Sequence, residues 1–166
     1  MREVTLSINL GTPEPRNVTS IFHLAQGFYL AGNRCLLNIE VGPDVTQCLV
    51  SPGVVNLCLA CELFLKAAIT HEGGKPAKTH KLQELVAIAP KAYVEQLRSE
   101  YNRIIPQPDF DSLIAQANEY FVQVRYGHEF PVTAFHEFPL AMLGRCMYVA
   151  TAKLVGERTG LQLLQP

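Results

Sequence analysis

The sequence predicts an all-α protein, an antiparallel bundle of four to five helices behind a short extended or irregular N-terminal arm. Two observations carry this prediction. Apolar residues recur at three- and four-residue steps through most of the chain, which is the period of a helix with one buried face. Glycine and proline interrupt that pattern at short intervals, so neighbouring helices have short connections and pack antiparallel. Composition agrees. With 166 residues, 48% of them hydrophobic and 17% charged, the chain can bury one sizeable core, and global disorder is excluded. The expected division is an arm over 1–16, a helical bundle over 17–158 and a tail over 159–166.

In the arm, Val4, Leu6, Ile8 and Leu10 alternate with Glu3, Thr5, Ser7 and Asn9, which is strand periodicity. A lone strand has no partner within such a domain unless another chain supplies one. The run Gly11-Thr12-Pro13-Glu14-Pro15 then breaks regular structure. From Asn17 the period lengthens: Val18, Ile21, Phe22, Ala25, Phe28, Tyr29, Leu36 and Ile39 predict a helix to about Ile39. Gly27 and Gly32 weaken it, each by roughly 1 kcal/mol relative to Ala. Gly42-Pro43-Asp44 marks its end, and Ser51-Pro52 reads as an N-cap followed by a first-turn proline.

The helix from about 52 to 71 is apolar almost all round and belongs at the centre of the bundle. Gly73-Gly74-Lys75-Pro76 ends it, and a shorter helix follows over about 80–89. Pro90 opens the next, whose stripe Val94, Leu97, Tyr101 and Ile104 lies opposite Glu95, Arg98, Ser99 and Asn102. Beyond the turn Pro106-Gln107-Pro108, Asp109 or Asp111 caps a helix carrying Phe110, Leu113, Ile114, Ala117, Phe121 and Val124. A last helix, about 137–157, carries Leu140, Leu143, Met147, Ala150 and Leu154. No segment after the arm reads as a strand.

A net charge of −1 argues against a strongly basic nucleic-acid clamp, although it is compatible with a local patch. The five cysteines are odd in number and scattered, which fits reduced thiols inside a cell. No apolar run reaches the ~18 residues needed to span a bilayer. Met1-Arg2-Glu3-Val4-Thr5 lacks the charged-then-apolar order of a signal peptide, so the expected compartment is the cytoplasm, with no membrane partner. Cys58-Leu59-Ala60-Cys61 is a CxxC inside the most apolar helix, with no second ligand pair nearby. Core packing is its expected role, and neither metal nor cofactor is expected. His23 and His71 are isolated histidines.

The central helix carries one polar stripe. Glu62, Lys66 and Thr70 stand four residues apart, on one narrow face of an apolar cylinder. A solvent-facing ion pair would contribute a few tenths of a kcal/mol, whereas a buried one demands hydrogen-bonding partners. His80, at the start of the following helix, and Arg125-Tyr126 are the candidates. The segment Arg125-Tyr126-Gly127-His128-Glu129 is dense in polar groups. Arg125 can grip a carboxylate or phosphate bidentately, or fasten Glu62; Tyr126 can stack on a base. The expectation is a shared pocket or network of Glu62, Lys66, His80, Arg125 and Tyr126, with Glu129 beside it.

These residues resemble the HEPN superfamily, small helical domains named for nucleotide binding in prokaryotes and higher eukaryotes. Such domains have an Ala-x-Glu-x-x-x-Lys helix, a His-Asp-Leu helix start and an Arg-Tyr helix end. Here these are Ala60-Cys61-Glu62 through Lys66, then His80-Lys81-Leu82 with Lys81 in place of Asp, then Arg125-Tyr126. The resemblance covers roughly residues 20 to 155 and implies a four- or five-helix bundle, commonly a homodimer, that binds or acts on RNA or nucleotides. Its ribonuclease members carry an Arg, four to six residues, then a His on the last main helix. No such pair stands there: no His follows Arg145, and Arg125 is followed by His128 after two residues and His136 after ten. The one literal match, Arg16 and His23, lies at the wrong end of the bundle.

The resemblance therefore implies first a non-catalytic module that binds RNA, a nucleotide or a protein partner. An endoribonuclease using Arg125 and His128, or Arg16 and His23, is the alternative. A protein-partner subunit, antitoxin-like or part of an assembly, is the third.

Overall fold

The structure, a computed structural model, describes residues 17–75, 78–125 and 135–159. Six helices follow in order: α1 (Val18–Cys35), α2 (Val50–His71), α3 (Leu82–Ile88), α4 (Lys91–Ile104), α5 (Phe110–Arg125) and α6 (Glu137–Val155). The resemblance implied four or five, and the two-turn α3 is the short extra piece. Between α1 and α2 stands a small antiparallel hairpin, β1 (Ile39–Gly42) and β2 (Val45–Gln47).

The apolar α2 lies at the centre, packed against α1, α3, α5 and α6. Its Val54, Leu57, Phe64 and Leu65 are fully buried. α1, α2 and α6 approach closely because glycines stand where they cross. A Cβ on Gly32 would fall 2.8 Å from Leu57 Cγ, and one on Gly53 would fall 2.8 Å from Leu36 Cδ2. Gly144 of α6 lies against the Tyr29 ring, where a Cβ would come within 3.1 Å. Above these crossings Tyr148 stacks on Phe22 and Tyr29, with centroids 5.7 and 5.5 Å away, and Gln26 Nε2 donates to its hydroxyl at 2.7 Å. The buried Tyr93 hydroxyl is paired with Thr151 Oγ1 at 2.7 Å, which ties α4 to α6.

Helix starts follow capping chemistry where the sequence supplies it. Asn17 accepts the Thr19 N–H at 3.0 Å, and Asp109 accepts that of Ser112 at 2.8 Å. The Ser112 N–H holds the Asp109 carboxyl below its usual range. Asp111 does not cap. It takes a bidentate pair from Arg98, both distances 2.9 Å, and so fastens α4 to α5.

Several expectations are corrected. α1 stops at Cys35 rather than Ile39, and the next residues form the hairpin that no sequence pattern indicated. Every hairpin residue is exposed, so no alternation of buried and solvated positions exists to be read. Ser51 is not the N-cap of α2: the helix begins at Val50, with Leu49 in the cap position and no side-chain cap bond. α3 spans 82–88, so His80 precedes it rather than opening it. The expectation that no apolar run is long enough to span a bilayer is corrected too: by length and mean hydropathy α2 and α6 both qualify. In α2 that surface is 67% buried inside the bundle, as befits a core helix.

Candidate functional site

Glu62 sits on α2 one turn after Cys58, where the helix faces α3 and α5. It is the only buried charged residue among the described ones. Burying a carboxylate is costly unless its oxygens are engaged, and here both are. Lys66 Nζ, one turn further along, donates to Oε1 at 2.6 Å. His80 Nδ1 lies 3.0 Å from Oε2. The three side chains run from core to surface: Glu62 is 7% exposed, Lys66 18% and His80 69%. Thr70, the third member of the stripe, donates its hydroxyl to the Lys66 carbonyl at 2.8 Å instead of reaching the carboxylate.

The described residues on either side of 76–77 are fastened locally. α2 closes through Gly73, whose φ of 77° suits glycine, and the Gly74 N–H reaches back to the Ile69 carbonyl at 2.9 Å. Thr79 Oγ1 then accepts the Lys81 N–H at 3.1 Å. α3 is clasped to α5 by a reciprocal pair: Asn118 Nδ2 donates to Gln83 Oε1 at 2.6 Å, and the Gln83 N–H donates to Asn118 Oδ1 at 3.2 Å. His80 therefore lies between the Thr79–Lys81 bond and an α3 that is clasped to α5.

The CxxC is packing. Cys58 and Cys61 are buried, as is Cys146. Burial, and secondly the Glu62 charge, push the Cys58 thiol up to about 12. Burial likewise holds Cys61 well above the usual thiol range. Neither is a thiolate near neutrality, so neither is a ready nucleophile or metal ligand. Among the described residues no group of three His, Cys, Asp or Glu is placed to hold a metal.

Of the residues expected to converge, Glu62, Lys66 and His80 stand together. Arg125 ends α5, but its side chain lies outside the described residues, as do Tyr126, His128 and Glu129. His23 is exposed on α1, its Nε2 3.6 Å from Glu157 Oε1; Arg16 lies outside the described residues. Sequence reasoning missed the Gln83–Asn118 clasp and the Tyr93–Thr151 pair. Their partners lie 35 and 58 residues apart with no local signal linking them.

The model of the HEPN domain matches residues 53–138, just over half of the chain. The chain belongs to the HEPN family. The matched stretch runs from the first turns of α2 to the first turn of α6, so Glu62, Lys66, His80 and the 125–129 segment all fall within it. α1 and the hairpin precede it. No curated protein and no solved structure matches the chain. Membership makes this HEPN domain a nucleotide- or RNA-related module in general terms.

Proposed function

We propose that this HEPN domain is a cytoplasmic binding module for RNA or nucleotides that does not cleave them. The observation that carries this reading is the engagement of Glu62. A general base needs access to the proton it removes and a vacant oxygen to receive it. Glu62 is buried, with one oxygen on Lys66 and the other on His80, so it anchors two donors rather than serving as a base. Of those donors, His80 reaches well into solvent and Lys66 stays at the margin. An ammonium beside an imidazole offers an anion a fixed pair of contacts, and the imidazole also offers a face to a base. The last helix supports the absence of cleavage, since α6 carries Arg145 and no His after it.

The test is a titration of the purified protein into fluorescently labelled single-stranded RNA and labelled ATP. Binding is expected to weaken at least tenfold in Lys66→Ala and in His80→Ala, and the RNA is expected to stay intact on prolonged incubation. Cleavage abolished by His128→Ala or His23→Ala would replace this reading with the ribonuclease. Failure to bind either probe would leave a protein-partner subunit as the function.

A further inference from the structure

Two cysteines bracket the hairpin. Cys35 closes α1 before it, and Cys48 directly follows β2. Cys58, Cys61 and Cys146 are buried in the core, whereas Cys35 and Cys48 are partly exposed free thiols. A thiol must be reached by its oxidant, so exposure sets this pair apart from the other three.

The fold also brings the pair together. Cys48 Sγ lies 3.7 Å from the Cys35 carbonyl oxygen. The Leu49 N–H donates to that same oxygen at 2.9 Å. In a planar trans peptide the Cys48 Cα stands on the same side as the Leu49 N–H. Standard bond lengths then put the two cysteine Cα atoms within about 6 Å of each other. A disulfide takes Cα atoms roughly 4.4–6.8 Å apart, so the backbone already stands at bridging distance. The hairpin between them packs substantially on no helix among the described residues, and its seven strand residues are exposed. A bridge would close a loop through this weakly supported segment.

We propose that Cys35 and Cys48 are a reversible redox pair, which hydrogen peroxide converts into a disulfide across the base of the hairpin. One sulfur attacks a peroxide oxygen and the O–O bond breaks. Hydroxide leaves and takes up the thiol proton as water, and the sulfur becomes a sulfenic acid. The second sulfur attacks the first and the S–O bond breaks. Hydroxide leaves again and becomes water with the second thiol proton. Two thiols are oxidised, one peroxide is reduced, and two waters are released. A dithiol reductant returns the pair to thiols by exchange. Disulfides inside cells are usually of this transient kind. The pair lies before the matched stretch, so the proposal does not rest on the RNA or nucleotide reading.

The test treats the full chain with a small excess of hydrogen peroxide and counts free thiols after denaturation. The count is expected to fall from five to three, and dithiothreitol is expected to restore it. Peptide mapping without reduction is expected to show one bond within the chain, Cys35 to Cys48. Cleavage after Glu40 and after Leu49 separates these cysteines from each other and from Cys58. Cys35→Ser and Cys48→Ser are each expected to form no bond. Five thiols that survive peroxide would overturn the proposal. So would a bond that includes a buried cysteine, a bond between two chains, or a loss that dithiothreitol does not reverse.

Discussion

Glu62 has Lys66 on one oxygen and His80 on the other, and this sets what its removal does. Glu62→Ala strands Lys66, which keeps little solvent contact, while His80 can turn to water. Stripping one member from a fully buried ion pair costs roughly 3–5 kcal/mol, and relief of the imidazole lowers the expected loss here to about 2–3 kcal/mol. Urea unfolding of the variant beside wild type measures it. A loss under about 1 kcal/mol would place Glu62 with ordinary surface pairs. The spacing of Glu62, Lys66 and Thr70 was legible because four-residue steps on an otherwise apolar helix are conspicuous. The role of Thr70 was not. A threonine hydroxyl can serve its own backbone four residues back as readily as a neighbouring carboxylate, and only the fold decides between them. Asp109 and Asp111 posed the same ambiguity, which Arg98 resolved by claiming Asp111.

At the scale of elements, the two glycines of α1 look alike in sequence and differ in place. A Cβ on Gly27 meets nothing within 4 Å, whereas one on Gly32 meets the Leu57 side chain at 2.8 Å. Gly27→Ala is therefore expected to stabilise the protein by about 0.5–1 kcal/mol through helix propensity alone. Gly32→Ala is expected to destabilise it by about 1–3 kcal/mol, because the packed α1–α2 crossing must open. The sign of the difference between the two melting temperatures checks this. Helices with strong stripes, such as Val94, Leu97 and Tyr101 in α4, were legible almost to their ends because one buried face imposes a single period. The hairpin was not, since Leu36, Leu37 and Ile39 continue the apolar density of α1 while the strands bury nothing that would mark a change of period.

Across the whole molecule the central position of α2 and the burial of the CxxC were legible, because an all-round apolar helix has no stable place but the middle. The arrangement around it was not, since the order of neighbours depends on long-range pairs such as Tyr93 with Thr151. Burial of the thiols makes stability depend on pH. In the fold it pushes Cys58 up to about 12 and Cys146 up to about 11, while unfolded thiols ionise near ~8.5. Above that point the native state holds more protons than the unfolded chain, so stability falls as pH rises. The urea midpoint is expected to drop steadily from pH 8 to pH 10.5, and a flat profile would mean that the buried thiols ionise freely in the fold. The placement of α2 also bears on how the protein is made. α2 packs on α1, made before it, and on α6, made more than sixty residues after it, so a chain growing from its N-terminus carries its most apolar helix incompletely covered until α6 has emerged. Until α6 emerges, apolar surface of α2 stays open to self-association, so co-translational chaperoning matters most for the stretch made between the two helices.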